Sequence, residues 1–383
     1  MARLVLTFLL ATAARVQGAL VNPFLPVTAA TICSKASRSA AYGPTAWSGK
    51  CPTPPPPTLK AQGVKFYKDA SSSIADPKLE ALNNKLAKDM RAFARGVDDL
   101  ALGYWSSRPL STPMASCTWK WLVKFANARA YTSLGSSRQG AVNLVQNFIR
   151  IPVAYMRIAN SSVVRNDAAN AAIVKLWIAN MVRMMTTLLY VHYPPHDPTP
   201  NNLGLSTGAS AGFAGLAIGN RSMYEWGLRT FAWFAASQNP DGTMKPELDR
   251  ASRACRYHAT AMQPVVWLAY AAYFNGDDHF NNADGSPTGI QKLCQVAVRC
   301  WRNASYLYSY THVKGAALGR PLNSLELAHA LLRRNVEEIN AHLIENRPLT
   351  DDGAQLYSET TWAFGTDVAS STYPRDPRGT CFN

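Results

Sequence analysis

Residues 76–97 read DPKLEALNNKLAKDMRAFARGV, and within them Leu79, Leu82, Leu86, Met90, Phe93 and Val97 recur at steps of 3, 4, 4, 3 and 4. That spacing lines one face of an α-helix. Asp76 supplies an N-cap and Pro77 a first-turn proline, so the stretch predicts one amphipathic helix. The same period returns at Ile173, Trp177, Met181, Met184 and Leu188, and again at Leu325, Ala328, Leu332, Val336, Ile339 and Leu343. Further apolar-rich segments lie near 119–131, 139–158, 208–218, 222–238, 257–274 and 289–301, with no comparable β alternation.

Loops such as NPDGT (239–243) and NGDDHFNNADGSP (275–287) separate these segments, which suggests stacked antiparallel helix pairs. No strict repeat period shows, so a closed arrangement is favoured over an open superhelix. The expected class is all-α, an (α/α) toroid occupying residues 59–383.

Ahead of it, Arg3 precedes an apolar run from Leu4 to Ala13, and Val16-Gln17-Gly18 lead to a cleavage point at Ala19. Residues 1–18 are read as a secretory signal, the run being shorter than the ~20 residues that span a bilayer. Residues 19–58, rich in Ser, Ala, Thr and Pro and ending in CPTPPPPT, are read as an extended strap or linker. The mature protein is therefore expected outside the cytoplasm, or in the periplasm of a bacterium, with no membrane insertion.

The chain of 383 residues is 47% hydrophobic and carries 39 Lys and Arg against 24 Asp and Glu, a formal net charge of +15. Such a balance favours an anionic partner. Export argues against nucleic acid and leaves an acidic polysaccharide or lipid. Seven cysteines, Cys33, Cys51, Cys117, Cys255, Cys294, Cys300 and Cys381, permit up to three disulfides in an oxidising compartment, with pairing open. No CxxC pair occurs, against a zinc ribbon or thioredoxin-like site. Sequons at Asn160, Asn220 and Asn303 can carry glycans in a eukaryotic secretory route.

The chemistry-bearing stretch is PELDRASRACRYHA, Pro246–Ala259, which spaces Arg250, Arg253 and Tyr257 at 3, 4 and 7. On a helix that stacks two guanidinium groups and a phenol along one stripe. A solvated face paired with Glu247 and Asp249 is the plain reading. His192 and His196 flank two prolines in HYPPH, so they do not share a helix face as metal ligands would. Asp98, Asp99, Asp241, Glu247, Asp249 and Glu359 offer carboxylates for a glycosidase pair, although Asp241 in a turn and Glu247 near a helix start suit structural roles.

In order and spacing, CPTPPPPT (51–58), FYKDASSSIADP (66–77), Asn201-Asn202, DGTMKPELDRASRACRYHA (241–259) and PVVWLAYAA (264–272) resemble the alginate-lyase-like polysaccharide lyases, a family with an (α/α) toroid fold. The resemblance covers roughly residues 51 to 310 and implies cleavage of 1,4-linked polyuronates by β-elimination. It gives Tyr257 the part of base and acid, and it sets Arg250 and Asn202 at the substrate carboxylate. Where the family has a histidine after that asparagine, this chain has Leu203. Tyr67 and Lys68 match a lid segment and Arg253, with Arg256, stands beside the phenol. Trp119, within Trp119-Lys120-Trp121, is a candidate to stack a sugar ring, and His258 is placed next to Tyr257. Neither a metal nor an organic cofactor is implied.

Elimination removes the C5 proton of a uronate, so donors that stabilise the developing enolate are the largest expected contribution. One phenol can serve as base and acid when H5 and O4 share a face of the sugar, as in β-linked mannuronate and glucuronate, provided nearby cations lower its pKa. In guluronate the two are opposed and a second base is wanted. Leucine at 203 therefore penalises guluronate most. Two rival readings follow: a polyuronate-binding protein on a degenerate lyase scaffold, and a helical-toroid glycoside hydrolase.

Overall fold

The structure, a computed structural model, describes residues 19–24, 49–69, 72–106, 110–192, 201–318, 322–332 and 336–346. The proposed signal, Cys33, Cys381, His196 and Glu359 lie outside them, as does the side chain of His192. Among the described residues the elements are almost all helical. In chain order they are α1 (Pro77–Leu86), α2 (Lys88–Ser106), α3 (Thr112–Asn127), α4 (Gln139–Phe148), α5 (Arg150–Ile158), α6 (Ser162–Arg165), α7 (Ala168–His192), α8 (Asn202–Ile218) and α9 (Arg221–Ser237). There follow α10 (Lys245–Leu248), a 3-10 turn (Ala251–Arg253), α11 (Ala254–Phe274), α12 (Gly289–Arg302), α13 (Tyr308–Thr311), α14 (Leu325–Leu331) and α15 (Glu337–Asn346).

The helix expected over 76–97 is two helices. Asp76 caps α1 as anticipated, its carboxylate accepting from the Lys78 and Leu79 N–H groups, but the chain breaks at Ala87 and Leu79 and Leu82 are exposed. Asn83 is the buried residue of α1 instead. Its side-chain oxygen accepts from the Val64 N–H at 3.2 Å and from Asn143 Nδ2 at 2.9 Å. So α1 docks through polar contacts with Val64 and with Asn143 of α4, and the apolar period belongs to α2, where Met90, Phe93 and Val97 are buried. The stripe from Leu325 to Leu343 is likewise divided between α14 and α15, with Leu332 in extended backbone.

At the centre lies α8, packed against α4, α5, α7, α9 and α11. Leu205, Phe213 and Leu216 are buried along it, as are its small residues from Ser206 to Ala217, because a helix covered on all sides needs no polar face. Its glycines let α9 come in backbone to backbone: a Cβ on Gly227 would stand 2.5 Å from the Gly208 carbonyl oxygen.

The strap is built into this body rather than hung from it. Cys51 is bonded to Cys117 of α3, Trp121 Nε1 donates to the Pro52 carbonyl at 3.0 Å, and β1 (Lys60–Ala61) pairs in parallel with β2 (Ser133–Leu134). Further upstream, Phe24 is fully buried, its ring centroid 5.7 Å from that of Tyr270, 6.3 Å from Trp267 and 6.4 Å from Phe213. The guanidinium of Arg157, buried and paired with Asp98 at 2.5 Å, lies 5.3 Å from the same ring. Asn22 Nδ2 donates to the Met156 carbonyl at 3.0 Å. Through these contacts residues 20–24 and 51–58 are held against the helical body.

Phe24→Ala is accordingly expected to cost about 3–4 kcal/mol, the range for emptying a buried aromatic site. Urea or thermal unfolding measures it. A loss below about 1 kcal/mol would mean that the segment contributes little to the core.

A second disulfide, Cys255–Cys300, ties the start of α11 to the end of α12. Cys294 is a buried free thiol, its pKa pushed up to about 12 by burial. Among the described residues no helix is long and apolar enough to cross a membrane, and no cluster of His, Cys, Asp and Glu could hold a metal.

Candidate active site

The stretch from Pro246 to Ala259 is not one helix. α10 ends at Leu248, the 3-10 turn intervenes, and α11 begins at Ala254. Ala251 takes φ +49, the left-handed region that side-chain-bearing residues seldom occupy. Through this fold-back Arg250 covers the phenol seven residues later, its Cζ 4.8 Å from the Tyr257 ring centroid. The two groups that the helical stripe was expected to align are thus brought together by a break in the helix.

Glu247 organises the cations' side of the site. It is fully buried, and Arg250 Nε lies 3.6 Å from its Oε2. Asn202, the first residue of α8 and itself buried, donates its backbone N–H to Glu247 Oε1 at 2.5 Å and its side-chain Nδ2 to Oε1 at 3.2 Å and Oε2 at 3.1 Å. Burial pushes the Glu247 pKa up, while Arg250 and the Asn202 amides pull it down. One carboxylate therefore joins Asn202 to Arg250, and Arg250 lies on Tyr257. Sequence offered its i, i+3 spacing to Arg250 but no sign that Asn202, 45 residues earlier, is the second partner.

Tyr67 completes the cluster from the segment that precedes α1. Its hydroxyl oxygen accepts from Tyr257 Oη at 2.9 Å and from Arg253 at 3.0 Å, and the Arg253 guanidinium lies 5.2 Å from its ring centroid. A short loop presents it: Tyr67 bridges to Ala75, the Lys68 N–H donates to the Ile74 carbonyl at 2.9 Å, and Asp69 accepts from the Ser73 and Ile74 N–H groups. Burial, then the Tyr67 hydroxyl, raise the Tyr257 pKa well above its ordinary value of 10, outweighing the pull of Arg250 and Arg256. This reverses the expectation that the cations lower it: here the phenol is held protonated.

Four other candidates stand apart from that expectation. Trp119 is buried in α3, donating its indole N–H to Asp167 at 2.9 Å with its ring against Tyr155, so it is a packing residue and not a sugar platform. Lys68 pairs with Asp76 at 3.4 Å on the outer side of the Tyr67 loop. Leu203 packs half-buried against the core, an apolar side chain at the position that the resemblance assigns to a histidine. His258 is fully buried and faces away from any ligand role: Nδ1 bonds the Ala254 carbonyl and Nε2 accepts from the Met244 N–H, each at 2.8 Å.

Desolvation lowers the His258 pKa from 6.5 to about 4, despite the Ala254 bond and Asp241. Between those values the unfolded chain binds a proton that the native chain refuses, so stability falls as pH drops from about 6.5 toward 4. The expected loss is about 3 kcal/mol from this residue. Unfolding in urea across that pH range checks it, and the loss should shrink in His258→Gln.

Three of the carboxylates considered for hydrolysis are engaged elsewhere. Asp98 is shut into its pair with Arg157, Glu247 is buried, and Asp241 is bound by Thr243 and the Tyr310 hydroxyl.

With this geometry in hand, likeness to other proteins is informative. A polysaccharide lyase of Stenotrophomonas maltophilia (strain K279a) is 25% identical over 271 residues, covering 68% of this chain and 76% of that protein. An alginate lyase of Pseudomonas aeruginosa (strain PAO1) is 25% identical over 261 residues, 66% of this chain and 68% of its own length. Among solved structures, a tyrosine-to-phenylalanine variant of alginate lyase A1-III complexed with a tetrasaccharide superposes with a TM-score of 0.72 at 16% identity, over 91% of this chain and 97% of that one. That likeness establishes the all-α, (α/α) toroid fold. Residues 63–305, which hold Tyr67, Asn202, Glu247, Arg250 and Tyr257 together, match the family model described as alginate lyase, and the chain belongs to that family of polysaccharide lyases.

Proposed function

We propose that this chain is a secreted lyase that cleaves β-1,4-linked polyuronate, polymannuronate or glucuronan, by β-elimination. The observation that carries the reading is the joined set Asn202–Glu247–Arg250–Tyr257–Tyr67, which sets a phenol and two guanidinium groups at one place. The family and the tetrasaccharide seen with A1-III support it. The net charge of +15 suits an anionic polymer.

In this mechanism Arg250 and Asn202, held by Glu247, face the uronate carboxylate and stabilise the enolate that forms as H5 leaves. Tyr257 takes H5 as phenolate. For that its proton must first pass to solvent water, after which Tyr67, now an acceptor, donates its own O–H to the phenolate while Arg253 supports Tyr67. Each turnover then regenerates the phenolate when Tyr257 protonates O4. The C5–H electron pair becomes the C4=C5 double bond as the C4–O4 bond breaks. Tyr257 returns its proton to O4, leaving an unsaturated uronate on one fragment and a free hydroxyl on the other. With H5 and O4 on one face a single phenol suffices. Leu203 offers no second base, so guluronate is the poor substrate.

The two disulfides support secretion, since such bonds persist in oxidising compartments. The test is incubation with polymannuronate, glucuronan and polyguluronate while following the ultraviolet absorbance of the unsaturated ends. Absorbance should rise with the first two and lag with the third. New reducing ends without absorbance would replace the lyase by a hydrolase. Binding without either product would leave a polyuronate-binding protein, the reading that Leu203 favours.

A further inference from the structure

Beyond residue 305, where the family match stops, the chain makes an excursion that returns to the site. Asn303 accepts from the Ser305 N–H at 2.9 Å, α13 follows, and His312 ends it at φ +53. The Ala316 N–H then donates to the Ser252 carbonyl at 2.8 Å. Ser252 is the middle residue of the 3-10 turn, between Arg250 and Arg253. Six residues earlier, the Tyr310 hydroxyl donates to Asp241, in the turn that leads into α10 and Glu247. The excursion is therefore bonded to the turn ahead of α10 and to the 3-10 turn between Arg250 and Arg253.

Its outer surface is aromatic and cationic. Tyr308 is 55% exposed and Tyr310 48%, with His312 and Lys314 exposed beside them. Tyr310 is the informative residue, because its hydroxyl is anchored while half of the side chain stays open, which fixes the ring and removes much of the rotamer entropy that contact would otherwise cost. An open, oriented phenol ring suits the C–H face of a pyranose, and an ammonium group nearby suits a uronate carboxylate. The Asp241 charge, which would repel such a ligand, is occupied by Tyr310 and by the Thr243 N–H and hydroxyl.

We infer that residues 306–316 form a distal subsite beside the Tyr257 cluster, with Tyr310 as platform for a uronate unit and Lys314 as partner of its carboxylate. The occupant is the polyuronate chain itself, running on from Tyr257 past Ser252; this rests on the polyuronate reading above. A long polymer gains from the subsite, whereas a tetramer seated over Tyr257 gains less.

Affinity for polymannuronate, measured by calorimetry in a Tyr257→Phe background so that no turnover intervenes, tests it. Tyr310→Ala should weaken binding of long polymannuronate about tenfold and Lys314→Ala about threefold, as stacking and an exposed ion pair allow. Binding of the tetramer should fall by a smaller factor, and Tyr310→Phe should lose less than Tyr310→Ala. In the chain with Tyr257 present, the same changes should raise KM for the long polymer more than they lower kcat. Unchanged affinity for the long polymer in both alanine variants overturns the inference, as does a change of sedimentation coefficient that tracks Tyr310→Ala, which would make the patch a contact between copies. A parent chain that binds the polymer but releases no unsaturated ends overturns the lyase reading alone, and the affinity series still decides the subsite.

Discussion

Tyr257→Phe should reduce kcat on polymannuronate by about 10⁴-fold, the upper range for removing a positioned acid–base group, with KM changed only a few-fold. In the proposed mechanism the phenol does both proton transfers, so its oxygen would have no substitute. The phenyl ring keeps its place: Arg250 still lies over it and α11 is undisturbed. Thermal unfolding should therefore shift little. A variant that retains more than about a tenth of the parent rate would remove Tyr257 from the chemistry. Tyr67, the only hydroxyl bonded to it among the described contacts, would then be the group to test.

Glu247→Gln should lower kcat/KM by about 100-fold, though the residue never meets substrate. A glutamine fits the same space, but its NH2 group opposes Asn202 Nδ2 and Arg250, both of which the carboxylate now receives. Asn202 and Arg250 are then free to adopt other rotamers, and the enolate loses donors fixed in advance. As a positioning residue, Glu247 should lower kcat per folded molecule and alter its pH profile when replaced, whereas a defect of folding would lower the amount of active protein and leave the kcat, KM and pH profile of the folded remainder unchanged. Glu247→Asp, which keeps the charge on a shorter arm, should recover part of the loss. Activity within tenfold of the parent in Glu247→Gln would show that Arg250 and Asn202 hold their places without it.

Much of the helical architecture was legible because burial imposes a period on apolar residues. α7, α9, α11 and α12 fall where the apolar segments predicted them. Breaks were not legible. At Ala87 the chain stays almost helical, and Asn83, a polar residue, supplies the inward contact that a hydrophobic period cannot register. At Ala251 the reversal depends on a left-handed residue that nothing in the local sequence requires.

The site shows the same division. Arg250, Tyr257 and Asn202 could be carried over from the family's motif, residue by residue. Glu247 was visible as a counterion of the arginines or as a hydrolase carboxylate, but not as the partner of Asn202, because that bond joins two helices distant in sequence. Trp119 illustrates the opposite error: an aromatic beside a lysine looks like a sugar platform, and only the bond to Asp167 assigns it to packing. The direction of the Tyr257 pKa depended first on burial in the folded chain and then on Tyr67, 190 residues away in sequence.

The bridge from Cys255 to Cys300 has a practical corollary for anyone producing the protein. Cys255 sits two positions ahead of the phenol, so thiol oxidation fixes the register of the reacting segment against its neighbouring helix. Material made in a bacterial cytosol, where that crosslink does not form, would carry every side chain named above and still present them on an untethered hinge.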